Sequence, residues 1–525
     1  SDPSRGLGDV YKRQLLKIYD IPILYFPKFF HPDPTVNRRS GFLKPQINNS
    51  NILGNSYSIP YYSVLSENKD FTFTPFIFEN NLQMFQNEFR QINKYSKLVT
   101  NFGFVNNYKS ALENKKNSIL NLFADYELDL NLDKFTFSNL AVSIEKVTKD
   151  TFIKIFDTHL QNNILKPNDY DNLKSEIKIS LNSDKSFFTS GLISYENLQK
   201  KNSDRYEYIL PYYNYSSKLK YSPLDGKINF VSSGKNILNN TNQLKSNIIN
   251  DLIYESKELT FFEGIKTSLV LNTKNLNSIG KNNTEYKSSP QIELMSEINL
   301  NVNYPLLKQT KNNVNYLTPK ALMKINPSDM KDYSSLDITT DANSIFNMNR
   351  LGIADTFEAG RSLTLGLDYK KENLDDLNKY FEFKIASVFR DKEENFIPSK
   401  TTLNRKSSNL FGSISNNFSD FFNLKYNFAV DNNYSKIEYN NISAEFNLNN
   451  LTSKFDFLEE SGVMGDNSFI ENNTAYKVND QNYITFKTRR NKKLNLTEYY
   501  DLVYEYKNDC LSAGIKYKKT YYEDR

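Results

Sequence analysis

Residues 21–62 read IPILYFPKFFHPDPTVNRRSGFLKPQINNSNILGNSYSIPYY, and the placement of proline in this stretch decides how the chain is read. It opens with a short apolar strand, Ile21-Pro22-Ile23-Leu24-Tyr25-Phe26-Pro27, followed by a turn-rich linker that holds Pro32 and Pro34. A basic corner follows at Arg38-Arg39, running into Ser40-Gly41-Phe42. Two strand-like runs come next, 41–50 and 55–64, each with a proline: Pro45 in the first, Pro60 in the second. Proline has no N–H to give to a β-ladder and belongs at edges, strand starts or bulges. Two prolines in successive strands mark weak pairing. That is a poor choice for a purely structural sheet and a useful one for a gate.

Outward from this block the chain alternates. Phe71 and Phe73 share one face of a short run, as do Ile292, Leu294, Ile298, Leu300, Val302 and Tyr304. The same spacing recurs at Phe381, Phe383 and Ile385, at Leu424, Tyr426 and Phe428, and at Ile442, Ala444, Phe446 and Leu448. It returns at Tyr500, Leu502, Tyr504 and Tyr506, then at Leu511, Ala513, Ile515 and Tyr517. Each run predicts a strand with one apolar face. Polar clusters such as 272–284 and 431–435 read as turns or loops. Helical spacing is nearly absent, with 110–121 the best candidate, and the short glycine-bearing period of a solenoid is missing. At about ten residues per strand and about ten per connection, the chain after the basic corner makes about 24 strands, a number suited to a large outer-membrane barrel.

Composition agrees. Lys plus Arg number 66 against 61 Asp plus Glu, a net charge of +5, and mean hydropathy is −0.62. No run approaches the roughly 18 apolar residues of a membrane-spanning helix, but alternating strands escape that test because only every second residue meets lipid. The 36 Tyr and 38 Phe suit interfacial girdles, although Trp is absent and an AT-rich genome also enriches these residues along with Asn, Lys and Ile.

The block resembles the outer-membrane lipopolysaccharide-assembly family (LptD, organic solvent tolerance protein). Pro22, Tyr25, Pro27 and Phe29 match its last jelly-roll strand; Arg38, Arg39, Ser40, Gly41, Phe42, Leu43 and Pro45 match its barrel-entry segment, and Pro60, Tyr61 and Tyr62 its next. Residues 147–157 (VTKDTFIKIFD) resemble a further family segment with Lys149 in place of an acid, and 208–213 with 226–230 resemble its central pair. In 346–366, FNMNRLGIADTFEAGRSLTLG, Asn349, Arg350, Asp355, Glu358, Gly360 and Gly366 match. Ile353 replaces a glycine there, and Arg361 falls one place early.

The fold expected is therefore all-β: a large antiparallel transmembrane β-barrel over 39–525, in the outer membrane of a Gram-negative bacterium. The resemblance implies that 15–38 close a periplasmic jelly-roll domain and lead into the barrel. Residues 1–14 (SDPSRGLGDVYKRQ) have no start Met or apolar core and are set aside as a non-native leader. At the other end, 521–525 stop where the family pattern continues into one or two closing strands. The resemblance implies delivery of lipopolysaccharide to the outer leaflet, with a lateral gate between first and last strands weakened by Pro45 and Pro60. It also implies an LptE-type plug lipoprotein, a periplasmic LptA-type bridge, and a disulfide from Cys510, the lone cysteine, to the periplasmic domain. By their own pattern, Asn349, Arg350, Asp355, Glu358 and Arg361 read as a salt-bridged loop inside the lumen, and a buried inert Cys510 is the plainer alternative. Another large barrel, a TonB-dependent importer or a porin, is the rival, and a soluble β-rich adhesin a more distant one.

Catalysis finds little support. His31 and His159 are the only histidines, neither sits beside a second ligand at metal spacing, and His159 in FDTHLQNN reads as a solvated loop residue. Phosphate-loop, dinucleotide and nucleophile-elbow motifs are missing, so neither enzyme activity nor a cofactor is expected. Nucleic-acid binding has no motif behind it.

Overall fold

Exposure alternates along the strands with the apolar side outward. In Lys116–Asp129, Ile119, Asn121 and Phe123 are 1, 4 and 0% exposed, whereas Leu120 and Leu122 between them are 52 and 40% exposed. Ile292 and Leu294 project outward in the same way, as do Met323, Leu363 and Leu365. A soluble sheet would turn these side chains inward. A surface so rich in large apolar groups is suited to lipid, with the polar and sealed positions facing a lumen.

The computed structural model describes residues 10–18, 21–30, 38–50, 52–109, 116–219, 225–508 and 512–520. From Gly41 onward, 29 strand segments form one sheet whose antiparallel pairings follow chain order, up and down. Four staves are interrupted along their length: Gly41–Phe42 with Gln46–Ser50, Gly54–Ser58 with Tyr61–Ser66, Gln243–Glu255 with Leu259–Phe261, and Gln291–Asn303 with Leu306–Gln309. Counting each as one leaves 25 staves, close to the number expected. Among the described residues no ladder joins the last strand, Ser512–Thr520, to the first, although Lys518 reaches across to an inserted segment described below.

Long and short connections segregate. At one end lie the inserts 148–171, 327–359 and 391–409; at the other, turns such as 67–68, 183–185, 420–421 and 480–481. This asymmetry is characteristic of outer-membrane barrels. The first insert contains a one-turn helix, Phe152–Ile155, and a 3-10 turn, Asp157–Leu160. Phe152, Ile153, Phe156 and Leu160 bury themselves against the inward residues Phe76, Met84, Val105, Ile119 and Phe123, so the insert folds into the lumen. Each such side chain contributes roughly 1.5–3 kcal/mol. The second insert folds inward too, packing Tyr333, Ile345 and Leu351 against Val388, Phe411 and Ala429.

Two expectations are corrected. Residues 116–121, the candidate helix, are strand, because Ile119 and Phe123 face the lumen core while Leu120 and Leu122 face out; 110–115 lie outside the described residues. Residues 272–281, taken as loop chemistry, lie in the strand Ile265–Lys281, where lumen-facing Asn, Lys and Ser suit a wet interior. Val10–Ile18 pairs with Ile21–Phe30 in a separate two-stranded sheet.

Candidate functional site

The entry corner staples the chain to the sheet. Arg38 donates to Asp70 at 2.7 Å and to the Glu67 carbonyl at 2.5 Å, and Ser40 Oγ accepts from the Val64 amide at 2.8 Å. Gly41 and Phe42 pair with Tyr62 and Tyr61, and the Phe42 and Tyr61 rings meet edge-on at 5.1 Å. Arg39, beside them, is exposed. Asp70, itself buried, also accepts from Arg90 at 2.7 Å.

Above this corner the ladder fails at the prolines. After the Leu43 amide bonds to the Pro60 carbonyl at 2.8 Å, regular pairing resumes only at Gln46 with Ser58. On its other side the second stave pairs through Ser58 with Phe76 and through Tyr61 with Phe73, leaving 59–60 unpaired opposite Thr74 and Pro75. By contrast Gln83–Ile92 pairs with Ser96–Lys109 in unbroken register. Pro75 was missed in the sequence, yet FTFTPF placed it in an alternating run. Three successive staves thus carry a residue without a donor.

Inside this weak flank lies a cavity of about 360 Å³. Leu43, Gln46, Pro60 and Tyr62 form its outer wall, Glu88, Arg90 and Asn101 its far wall, and the first insert, at His159 and Leu160, closes the long-connection end. His159 is buried, correcting its reading as a solvated loop residue: Nε2 lies 3.0 Å from Ser56 Oγ, and the ring packs edge-on against Phe76 at 5.0 Å. The signal was present, because Phe152, Phe156 and Leu160 recur every four residues and required apolar cover. Burial pushes the His159 imidazole down to about 4, so it is neutral at neutral pH.

Two residues earlier, Asp157 gathers Lys166, Lys518 and Tyr170, the last at 2.6 Å. Burial opposes its charge, but the hydrogen bonds from Lys166, Lys518 and Tyr170 prevail and hold its carboxyl down to about 2. Burial and the Asp157 charge together push the Tyr170 phenol up to about 12. The insert therefore holds the second stave through Ser56 and the last described strand through Lys518.

The second insert builds a different site. Arg350 forks onto Glu358 at 2.6 and 2.5 Å, and Arg390 shares the same carboxylate. Arg350 also donates to Thr364 at 2.7 Å and Ser362 at 3.0 Å. Asp355 accepts from Tyr286 at 2.5 Å and Tyr333 at 2.7 Å, and Asn349 caps the Ile353 carbonyl at 2.9 Å. Arg361 stands apart from this network, exposed on the outward side of Gly360–Asn373, because the neighbouring Ser362 takes the inward position. Cys510 and His31 lie outside the described residues. Among the described residues no His, Cys, Asp and Glu group has the arrangement of a metal site. A larger, more open depression of about 1020 Å³, near Lys200, Asp204 and Arg205, faces solvent at the long-connection end. Arg205 there is already engaged by Glu196 and Asp150, and the depression lies away from the interrupted ladders.

The LPS transport system D (LptD) family model matches residues 131–486. The LPS-assembly protein LptD of Hahella chejuensis is 43% identical over 75 residues, 14% of this chain and 9% of that protein. The LptD of Psychrobacter arcticus is 32% identical over 109 residues, 21% of this chain and 12% of the relative. The matched segments are thus a small part of those proteins. Among solved structures, the siderophore receptor PiuA of Acinetobacter baumannii gives a TM-score of 0.35 at 8% identity, covering 88% of this chain and 78% of that one. The alcaligin receptor FauA of Bordetella pertussis gives 0.31 at 7%, covering 89% and 76%. With well over half its residues matched by one family model, the chain belongs to the LPS transport system D (LptD) family of the Gram-negative outer membrane.

Proposed function

We propose that this chain delivers lipopolysaccharide to the outer leaflet through a lateral opening beside the proline-bearing staves. The observation that carries the reading is the coincidence of interrupted ladders at 43–45 and 59–60 with the lumenal cavity directly behind them. A glycolipid can keep its acyl chains in the membrane and its sugars in the polar lumen only if it leaves sideways. A closed ladder forbids that, since every unpaired backbone group facing lipid costs several kcal/mol. A seam already short of donors loses less on opening. In this reading lipopolysaccharide enters from an LptA-type periplasmic bridge, an LptE-type lipoprotein occupies the remaining lumen, and no catalytic step is involved. The family match, rather than the sheet, separates it from an importer or a porin.

The test is a cysteine pair joining Gln46–Ser50 to the closing strand in the full-length protein. Oxidation is expected to abolish surface lipopolysaccharide while heat-modifiable gel mobility reports an intact barrel. Undiminished delivery through a demonstrably crosslinked seam overturns the reading.

A further inference from the structure

The cavity behind the proline-bearing staves has two unlike walls. One is apolar, built from Leu43, Pro60 and Phe76 with the Tyr62 ring. The other presents polar groups with unused hydrogen-bonding capacity. Among the described residues the Glu88 carboxylate meets Arg90, at 3.4 Å through one oxygen; Arg90 directs its Nε to Asp70 and lies 6.0 Å from the Tyr62 ring centroid, and its two terminal nitrogens make no hydrogen bond to the described residues. Asn101 is the sharpest case: it is 4% exposed and lines the cavity. Its Oδ1 accepts from Asn121 at 3.3 Å, but its Nδ2 has no partner among the described residues. Thr72 and Thr74 add hydroxyls to the same wall.

We propose that this cavity is a resting subsite for an uncharged, hydroxyl-rich saccharide segment. Its volume of about 360 Å³ lies within the range of small-ligand sites. A carboxylate that accepts, a guanidinium and an amide that donate, and hydroxyls that do either are what a sugar's hydroxyls require. The apolar wall covers the C–H face of the ring. Charge selects against the phosphate-bearing part of a glycolipid: Arg38 and Arg90 face Asp70 and Glu88, so the local sum is zero and an anion gains no net attraction. The inference rests on the lateral-exit reading, which brings sugar to this place. The subsite holds the saccharide against the seam while the insert carrying His159 roofs it from the long-connection end.

The test titrates the full-length protein in detergent by calorimetry with two probes. These are the deacylated, dephosphorylated oligosaccharide of the host's own lipopolysaccharide, and inorganic phosphate. The oligosaccharide is expected to bind and phosphate not to. The near-isosteric changes Glu88→Gln and Thr74→Val, checked for unchanged heat-modifiable mobility, are expected to weaken binding, the first by about tenfold. Absence of oligosaccharide binding, affinity unchanged from the parent protein in both variants, or a preference for phosphate overturns the subsite. The seam-crosslinked protein separates the two ideas. If it blocks delivery while the oligosaccharide fails to bind, the subsite falls and lateral exit stands. If the oligosaccharide binds while the crosslinked protein still delivers, lateral exit falls and the subsite stands.

Discussion

Two lumenal inserts sit on the same sheet and treat it in opposite ways. The two strands that flank 327–359 form an unbroken ladder, Asn313–Asn326 with Gly360–Asn373 over all 14 residues, although the next stave is interrupted at 304–305, and the insert adds a buried carboxylate shared by Arg350 and Arg390. Around 148–171 the nearby staves lose their register at prolines, and the insert meets them with a mostly apolar plug and a few polar contacts. One flank is fastened by charges that are costly to separate. The other is held by apolar packing, the contact of His159 with Ser56 and the ion pairs of Asp157 with Lys166 and Lys518. In the proposed reading, opening falls on the second flank.

The largest expected effect lies on the fastened flank. Removing Glu358 leaves two buried guanidiniums without their shared anion, and Glu358→Ala is expected to destabilise the barrel by about 3–5 kcal/mol, read by chemical unfolding in detergent. Arg361→Ala, on the exposed face a few residues away, is expected to change stability by less than about 0.5 kcal/mol. Equal effects from the two changes would erase the distinction between buried network and outer surface.

The flank at 148–171 responds to acid instead. The imidazole of His159 has its folded pKa lowered to about 4, below the usual value of about 6.5. The unfolded chain therefore takes up the proton first. The contribution is present above about pH 6.5 and is lost as pH falls through 4, about 3 kcal/mol in all. Asp157, held down to about 2, adds a second loss of roughly 2 kcal/mol as pH falls from about 4 towards 2. Limited proteolysis of the insert across this range is expected to accelerate first below pH 6.5, and His159→Gln to remove that first step while leaving the second. A smaller change follows from Lys518→Met, which breaks the bond between the insert and the last described strand while Lys166 still satisfies Asp157. A loss of about 1–2 kcal/mol is expected, seen as faster proteolysis at neutral pH.

Much of the sheet was legible because period-2 alternation is a local property, and the prolines mark positions without a ladder donor because the missing N–H is theirs alone. What escaped depends on distant partners. His159 looked like a loop residue because its cover, Phe76 and Ser56, lies far back in the chain, and Asp157 meets Lys518 across 361 positions. Residues 272–281 looked like a loop because a polar lumen inverts the usual meaning of Asn and Ser in a strand. Arg350 and Glu358 announced themselves by spacing, but the third partner, Arg390, comes from the next stave.

The last prediction bears most directly on the proposed gate. Pro45, Pro60 and Pro75 each withhold one donor. An ordinary ladder bond is worth on the order of 1 kcal/mol net, because unfolding exchanges it for a bond to water. Pro45→Ala with Pro60→Ala therefore offers about 1–2 kcal/mol at most, and only where a carbonyl stands opposite. The Pro60 carbonyl already accepts from Leu43, so that contact survives the change. What is gained is pairing across 43–45 and 59–60, where the register is now broken. Hydrogen exchange of the amides in Gln46–Ser50 and Tyr61–Ser66 is expected to slow by about fivefold for each kcal/mol gained. Exchange in Gln83–Ile92, whose ladder is already complete, is expected to stay the same. If both regions slow together, the prolines act on the whole sheet and not on one flank. If neither slows, the absent donors had no acceptors to meet, and the weakness of the flank comes from its broken register alone.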